Sequence, residues 1–428
     1  MRNKTSLVCG AALGVMLACG LGVAAHAQDN TTAWKGAPQW SNDDVYFKVR
    51  GRILLDAVFQ DVDKDGGTSG DFDTSNVRGR QVFIGVEGKL NNYIAYKAEG
   101  GFVNGGTSSW DDVVLEVKPT ETTSLLFGNV KVAGLENLTS TRFITFMDRG
   151  PYGDFGVDSY LLGVVGKFTG PNYSGALGVQ GNSLNNVDVI SAGSSANTVT
   201  GAGLDAKERL TITARGHWAP IATDTDKLHL GLSYRYRNRG DEALFNYTGR
   251  TTTAYSAGTT FYQTGGIGNR DKTIAVEGAW VHGPFSLQGE YSSIDVTRAG
   301  TAGSDPTVKV GYAFASFWPT GETRNYNQVT GEFGRPKILN PITAGGWGGL
   351  ELAVRYDFTD LKDAYDTLKV KPATSQAGEY TGWTLGANYY LTSYVRFQAN
   401  YTDGKADNIG VAQDYDVKQF QLRAQMDF

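Results

Sequence analysis

Arginines recur at every second position in "YRYRNRG" (234–240), as Arg235, Arg237 and Arg239. Lys48, Arg50 and Arg52 repeat the spacing near the start of the chain. On a helix such residues scatter; on a strand they line one face, because successive side chains point to opposite sides. A column of guanidinium groups suits anion handling. Its planar fork of donors matches phosphate and carboxylate oxygens, and like charges so close repel unless an acid or a passing anion compensates them.

The intervening residues identify the elements that carry these columns. Leu228, Leu230, Leu232, Tyr234 and Tyr236 alternate with His229, Gly231, Ser233 and the arginines, so one face suits lipid and the other water. The terminal "VKQFQLRAQMDF" does the same: Phe420, Leu422, Met426 and Phe428 oppose Gln419, Gln421, Arg423, Gln425 and Asp427. Ten-residue amphipathic segments separated by turns are the signature of a transmembrane β-barrel. The pattern predicts about sixteen antiparallel strands, near 46–60, 78–89, 93–103, 110–118, 122–131, 160–169, 173–182, 207–218, 226–239, 272–283, 285–297, 307–318, 347–358, 379–391, 393–405 and 415–428. Short turns alternate with long loops near 61–77, 132–159, 183–206 and 240–271. The stretch 319–346 is long where a short turn is due, and the alternation gives no account of it.

The chain has 428 residues, 56 glycines and a net charge of −5, which disfavours a nucleic-acid partner. Arg2 and Lys4, an apolar run and "AHA" at 25–27 read as a signal peptide over 1–27. Competing readings are a membrane helix and a lipid-modified Cys19. Both cysteines, Cys9 and Cys19, fall inside that segment, so thiol chemistry is not expected after cleavage. A lead segment over 28–44 then precedes a single barrel domain, 45–428, in the bacterial outer membrane and its lipid. A soluble β-sandwich array is the competing fold.

Strand phase turns Lys48, Arg50, Arg52, Lys97, Arg209, Arg215, Arg355, Arg396 and Arg423 inward, with Glu87, Glu99, Glu116, Glu277, Glu290, Glu351 and Asp357. Counting by twos places Arg78 and Arg80 with Val82, Ile84 and Val86 on the lipid side. Either a bulge at Gly79 reverses that, or both arginines sit at the wet rim. "DVDKDGGTSGDFD" (61–73) begins like a calcium loop but has Phe72 where a bidentate Glu is required, so no metal site is assigned. No hydrolase, phosphate-loop or zinc motif is present, no cofactor is implied, and an enzyme is not expected.

Residues 122–149, "TTSLLFGNVKVAGLENLTSTRFITFMDR", resemble the constriction-loop region of the phosphate-selective porin O and P family. "LHLGLSYRYR" (228–237), "VEGAWVHGPFSLQGEY" (276–291), "PTGETRNY" (319–326), "GLELAVRYDF" (349–358) and "LGANYYL" (385–391) resemble further family segments in order. The resemblance implies a sixteen-stranded barrel, usually trimeric, whose loop after strand 5 folds inward. It also implies an arginine ladder, matched here by Arg52 and Arg80, leading to constriction residues matched by Lys131 and Arg142. The chain departs from the family at Gln81, at Asn137, and in the loop after strand 9, where only Arg250 remains of an arginine run. Arg235, Arg237 and Arg239 are the candidate replacement. The expected function is passive diffusion of small hydrophilic solutes with a preference for anions such as phosphate. A general or sugar-permeable porin is the alternative, for which Tyr46 and Tyr390 are candidate lumen aromatics.

Overall fold

The computed structural model describes residues 37–42, 44–65, 71–102, 109–185, 210–239, 244–250, 260–298, 304–366, 377–409 and 414–428. Residues 1–27, expected to be a signal peptide, both cysteines and Arg209 lie outside the described residues. Sixteen strands form one antiparallel sheet: Tyr46–Asp65 (β1), Phe72–Lys89 (β2), Ile94–Gly101 (β3), Ser109–Val117 (β4), Thr123–Val130 (β5), Leu161–Thr169 (β6), Tyr173–Gln180 (β7), Leu210–Ala222 (β8), Asp226–Asn238 (β9), Gly268–His282 (β10), Phe285–Arg298 (β11), Thr307–Phe317 (β12), Gly349–Asp360 (β13), Gly378–Thr392 (β14), Val395–Asn408 (β15) and Asp414–Asp427 (β16). Each strand pairs with the next, and β1 pairs with both β2 and β16, which closes the ring. Closure satisfies the backbone without water and leaves no open edge in lipid. Gln39–Ser41 pairs with Tyr46–Lys48 where β16 has ended, so the N-terminal segment extends the last strand's ladder.

The predicted alternation is present. On β9, Leu230, Leu232 and Tyr234 face outward, while Lys227, His229, Ser233, Arg235 and Arg237 are buried inside. On β16, Phe420, Leu422 and Met426 face outward against Gln419, Gln421, Arg423, Gln425 and Asp427. Exposed Tyr93, Phe168, Tyr173, Trp218, Trp280, Phe285, Phe317 and Tyr389 lie near the short turns, as an interfacial aromatic girdle requires.

One connection differs from the sequence expectation, and two that it left open turn inward. The loop expected over 61–77 is shorter, because β1 runs to Asp65 and β2 starts at Phe72. Asp61 and Asp63 therefore lie on an extended strand, paired with Asp73 and Asp416 among others, rather than on a calcium-loop turn. Among the described residues no group of acids and histidines could hold a metal. The outer connection between β9 and β10 turns inward: Phe245, Tyr247, Phe261 and Tyr262 are buried with Val296, Val308, Tyr380 and Val417 in an apolar core inside the barrel. The lumen wall of β10–β16 is thus partly apolar where a water-filled lumen predicts polar residues. The other is 318–348, which joins β12 to β13 at the short-turn end, long as read, and re-enters the barrel. Its small hairpin, Tyr326–Asn327 with Glu332–Phe333, sits beneath the constriction loop.

Candidate functional site

The connection from Lys131 to Tyr160 crosses the lumen between β5 and β6. It includes a short helix, Leu135–Leu138, and a wider turn, Tyr152–Gly156. Buried side chains of the β10–β16 wall hold its backbone. Glu290 accepts hydrogen bonds from the amides of Leu135 (2.8 Å) and Glu136 (2.7 Å), the unsatisfied donors at the helix start. Arg355 donates to the Arg149 carbonyl (2.5 Å), Arg396 to that of Ile144 (2.9 Å), Arg423 to that of Met147 (2.6 Å) and Asn388 to that of Thr145 (2.8 Å). Gly150, at φ 64°, crosses so close to Arg355 and Asp357 that a Cβ would lie 2.7 Å from the Asp357 carboxylate.

The hairpin from the other end is pinned likewise. Arg215 donates to the Gly331 carbonyl (3.0 Å), and His217 Nε2 to the Gln328 carbonyl (2.9 Å). Tyr326 is 2.6 Å from His229 Nδ1, and the Phe333 amide donates to Thr139 Oγ1 in the constriction loop (3.2 Å). Both intrusions lean on one half of the barrel and leave space along β1–β6.

That space has two parts. Arg80, Gln81, Arg149 and Arg250, with Asp148 and Asp154, line an outer pocket of about 160 Å³. Arg50, Arg52, Lys97, Lys131, Arg142 and Lys167 line an inner chamber of about 1190 Å³, with Glu87, Glu99, Asp111 and Asp112. Thr141 borders both, and Arg52 Nε donates to Gln81 Oε1 (2.7 Å) across the junction. Arg142 reaches from the loop to Glu99 on β3, with Nη2 2.7 Å from Oε1. The neck is therefore made of charged and polar groups. Burial lowers Arg142 only to about 10, so it is cationic at neutral pH. Burial and the Arg149 charge push Lys131 down to about 7; its ammonium lies over the Tyr160 ring and donates to the Asn137 carbonyl (3.0 Å).

A closed sixteen-strand barrel narrowed by the loop after β5 is a porin architecture, and the comparisons with known proteins agree. The profile of the phosphate-selective porin O and P family matches residues 47–428. This chain belongs to that family. The porin is 29% identical to Porin O of Pseudomonas aeruginosa over 299 residues, which cover 64% of this chain and 63% of Porin O. Its fold is similar to that of the outer-membrane channel DcaP of Acinetobacter baumannii, with TM-score 0.53, 13% identity, and 91% and 99% of the two chains covered. It is also similar to an anion-selective porin from Comamonas acidovorans, with TM-score 0.50, 12% identity, and 90% and 100% covered. It is an outer-membrane porin, and family and fold are those of a channel rather than an enzyme.

In this porin ten of the eleven basic residues singled out by sequence separate into three groups, and Arg78 stands apart. Arg50, Arg52, Lys131 and Arg142 meet in the inner chamber, with Lys48 below them in register with Glu87. Arg80 and Arg250 meet at the outer pocket, where they pair with Asp148 (3.3 Å) and Asp154 (2.5 Å). Arg78 lies opposite Asp56 on the lumen face. A β-bulge brings the two β2 arginines inside. Leu54 pairs with Gln81 and Leu55 with Gly79, so Arg80 has no partner on β1 and the inside–outside phase reverses there. An arginine left on the lipid face at mid-membrane costs about 2–4 kcal/mol, which the bulge avoids.

The column at Arg235, Arg237 and Arg239 is elsewhere. Arg237 binds Asp271 and Asp158 (Nη1 3.0 Å), and Arg235 donates to Thr273 (2.8 Å) and faces Asp158 at 3.6 Å. Arg237 and Arg239 stack on Phe245. Arg235 and Arg237 are buried, and the column buttresses the two inward outer loops instead of lining either cavity. Sequence reasoning missed Arg149 at the outer pocket and Asp111 and Thr141 at the inner chamber. Arg149 was within reach, since it ends the quoted motif "ITFMDR".

Proposed function

We propose that this porin conducts small hydrophilic solutes passively with a preference for anions, phosphate among them, and that it assembles as a homotrimer. The observation that carries the reading is the sequence of basic groups along the β1–β6 side. An anion entering from outside meets Arg250, Arg149 and Arg80, then Arg142 and Arg52 at the neck, then Arg50 and Lys131. Among the inner-chamber residues, basic side chains outnumber acidic ones. A narrow path with one sign in excess lowers the barrier for the opposite ion. Family membership supports the anion preference, as does the likeness to a porin described as anion-selective; an outer-membrane protein of similar fold, OmpT of Vibrio cholerae, is described in a trimer form, which supports the trimer. The acids interleaved with these arginines favour weak, rapidly exchanged occupancy over tight capture.

The test is the zero-current potential of the purified porin in a planar bilayer under a potassium chloride gradient. The expected sign is that of chloride preference, reduced in Arg52→Ala and Arg142→Ala. Cation preference, or none, overturns the reading and leaves a general or sugar-permeable pore.

A further inference from the structure

We infer that Glu99 is a resident counter-ion occupying the anion site of the neck, and that it sets how tightly the channel holds a passing oxyanion. The inference rests on the anion-channel reading above. Three guanidinium groups converge on this one carboxylate. Arg52 contacts Oε1, Arg142 Nη2 is 2.7 Å from the same oxygen, and Arg50 Nε is 2.9 Å from Oε2. Two of the arginines come from β1 and the third from the constriction loop, so the carboxylate joins the wall to the loop. Its side chain is 1% exposed.

Such a cluster cannot exist uncompensated, because buried like charges need an anion between them. Glu87 takes one edge of Arg50 and Asp111 one edge of Arg52. Among the described residues only Glu99 touches all three. It does so incompletely: Arg142 Nε is buried and makes no hydrogen bond, and Arg50 Nε faces Oε2 as an ion pair without hydrogen-bond geometry. A carboxylate offers two oxygens in one plane, whereas a tetrahedral oxyanion offers more acceptors in three dimensions. Guanidinium forks bind both by the same charge-assisted geometry. A phosphate arriving at the neck thus finds donors of the right type already held by an internal competitor. It binds only by displacing Glu99 from Arg142, and it leaves when Glu99 returns. That exchange opens the wall-to-loop contact and closes it again with each passage.

The experiment measures inhibition of the chloride current by inorganic phosphate, using the full-length porin in planar bilayers. With Glu99→Gln, the phosphate concentration for half-inhibition falls by at least about tenfold, since removing a unit charge some 4 Å from the bound anion relieves a repulsion of that order or more even at protein-like dielectric. Chloride preference rises with it. Unchanged or weaker inhibition, in a Gln variant that keeps the wild-type barrel's heat-modifiable migration, overturns the inference and leaves Glu99 a loop anchor only. If Glu99→Gln does not insert, Glu99→Asp is read instead. It retracts the carboxylate by one methylene and releases Arg142, so half-inhibition falls severalfold; no change there overturns the inference. The wild type separates the two readings. A wild-type channel without anion preference defeats the anion-channel reading, whereas an anion-preferring wild type with an unresponsive Gln variant defeats this inference alone.

Discussion

Arg355 on β13 places Nη1 2.7 Å from Oε1 of Glu136 in the constriction loop, and both side chains are buried. The same guanidinium donates through Nε to Asp357 (2.8 Å) and through Nη2 to the Arg149 carbonyl (2.5 Å). One arginine thereby fixes two points of the loop to the barrel wall. Replacing one member of a buried, hydrogen-bonded pair leaves the other charge uncompensated, at a cost of about 3–5 kcal/mol. Arg355→Met is expected to destabilise the folded barrel by that order in urea titration. Its single-channel currents become larger and noisier than wild type, because the loop loses its hold on the wall. A quiet, wild-type conductance in this variant would show that the other anchors suffice.

The hairpin within 318–348 narrows the pathway from the short-turn end, where Asn325, Tyr326, Gln328 and Phe333 line the inner chamber. Gly331 adopts φ 67° against the His217 ring, at a distance where a Cβ would meet Cγ at 2.6 Å. Deleting residues 325–334 is expected to raise the conductance while the strand pairing survives, since β12 and β13 pair directly from Phe317–Leu352 upward. Circular dichroism checks the barrel and bilayer recording checks the current. Gly331→Val is the milder version: it displaces the hairpin from His217 and moves conductance the same way by less.

Lys131 is the first residue beyond β5, and burial reinforced by Arg149 pushes it down to about 7. It carries charge below that pH and loses it above. The basic excess of the inner chamber therefore falls as pH rises from 6 to 8, and anion preference falls with it. Arg142, lowered to about 10, stays charged across this window and contributes no slope. Reversal potentials measured at pH 6, 7 and 8 are expected to decline in the wild type and to stay flat in Lys131→Gln. Stability runs the other way. The unfolded lysine titrates near 10.4, so between about 7 and 10 the unfolded chain binds more protons and the folded state gains stability with rising pH.

The strands were legible because lipid outside and water inside impose a period of two that no soluble face needs so consistently. The constriction loop was legible from its motif. Three things were not. Parity cannot register a bulge, so Arg78 and Arg80 counted as lipid-facing until the pairing of Leu54 with Gln81 and Leu55 with Gly79 was in view. Parity gives a face but not a partner: Arg235 and Arg237 point inward as read, yet Asp158, which engages both, lies in a different loop of the fold. Arg355, Arg396 and Arg423 also point inward as read. What they bind includes the backbone carbonyls of Arg149, Ile144 and Met147, and a carbonyl leaves no mark in the sequence. For the same reason 319–346 stood out only by its length.

The bulge on β2 has an evolutionary consequence. Because Arg80 is the residue without a partner on β1, the register with β1 above and below it is complete without it: Gly79 and Gln81 already face consecutive residues of β1. A one-codon deletion there would erase a charge from the outer pocket yet leave every other side chain of the strand on its present face. Selectivity at this point of the wall is thus an editable module, gained or shed in a single step, while the membrane-facing surface stays the same.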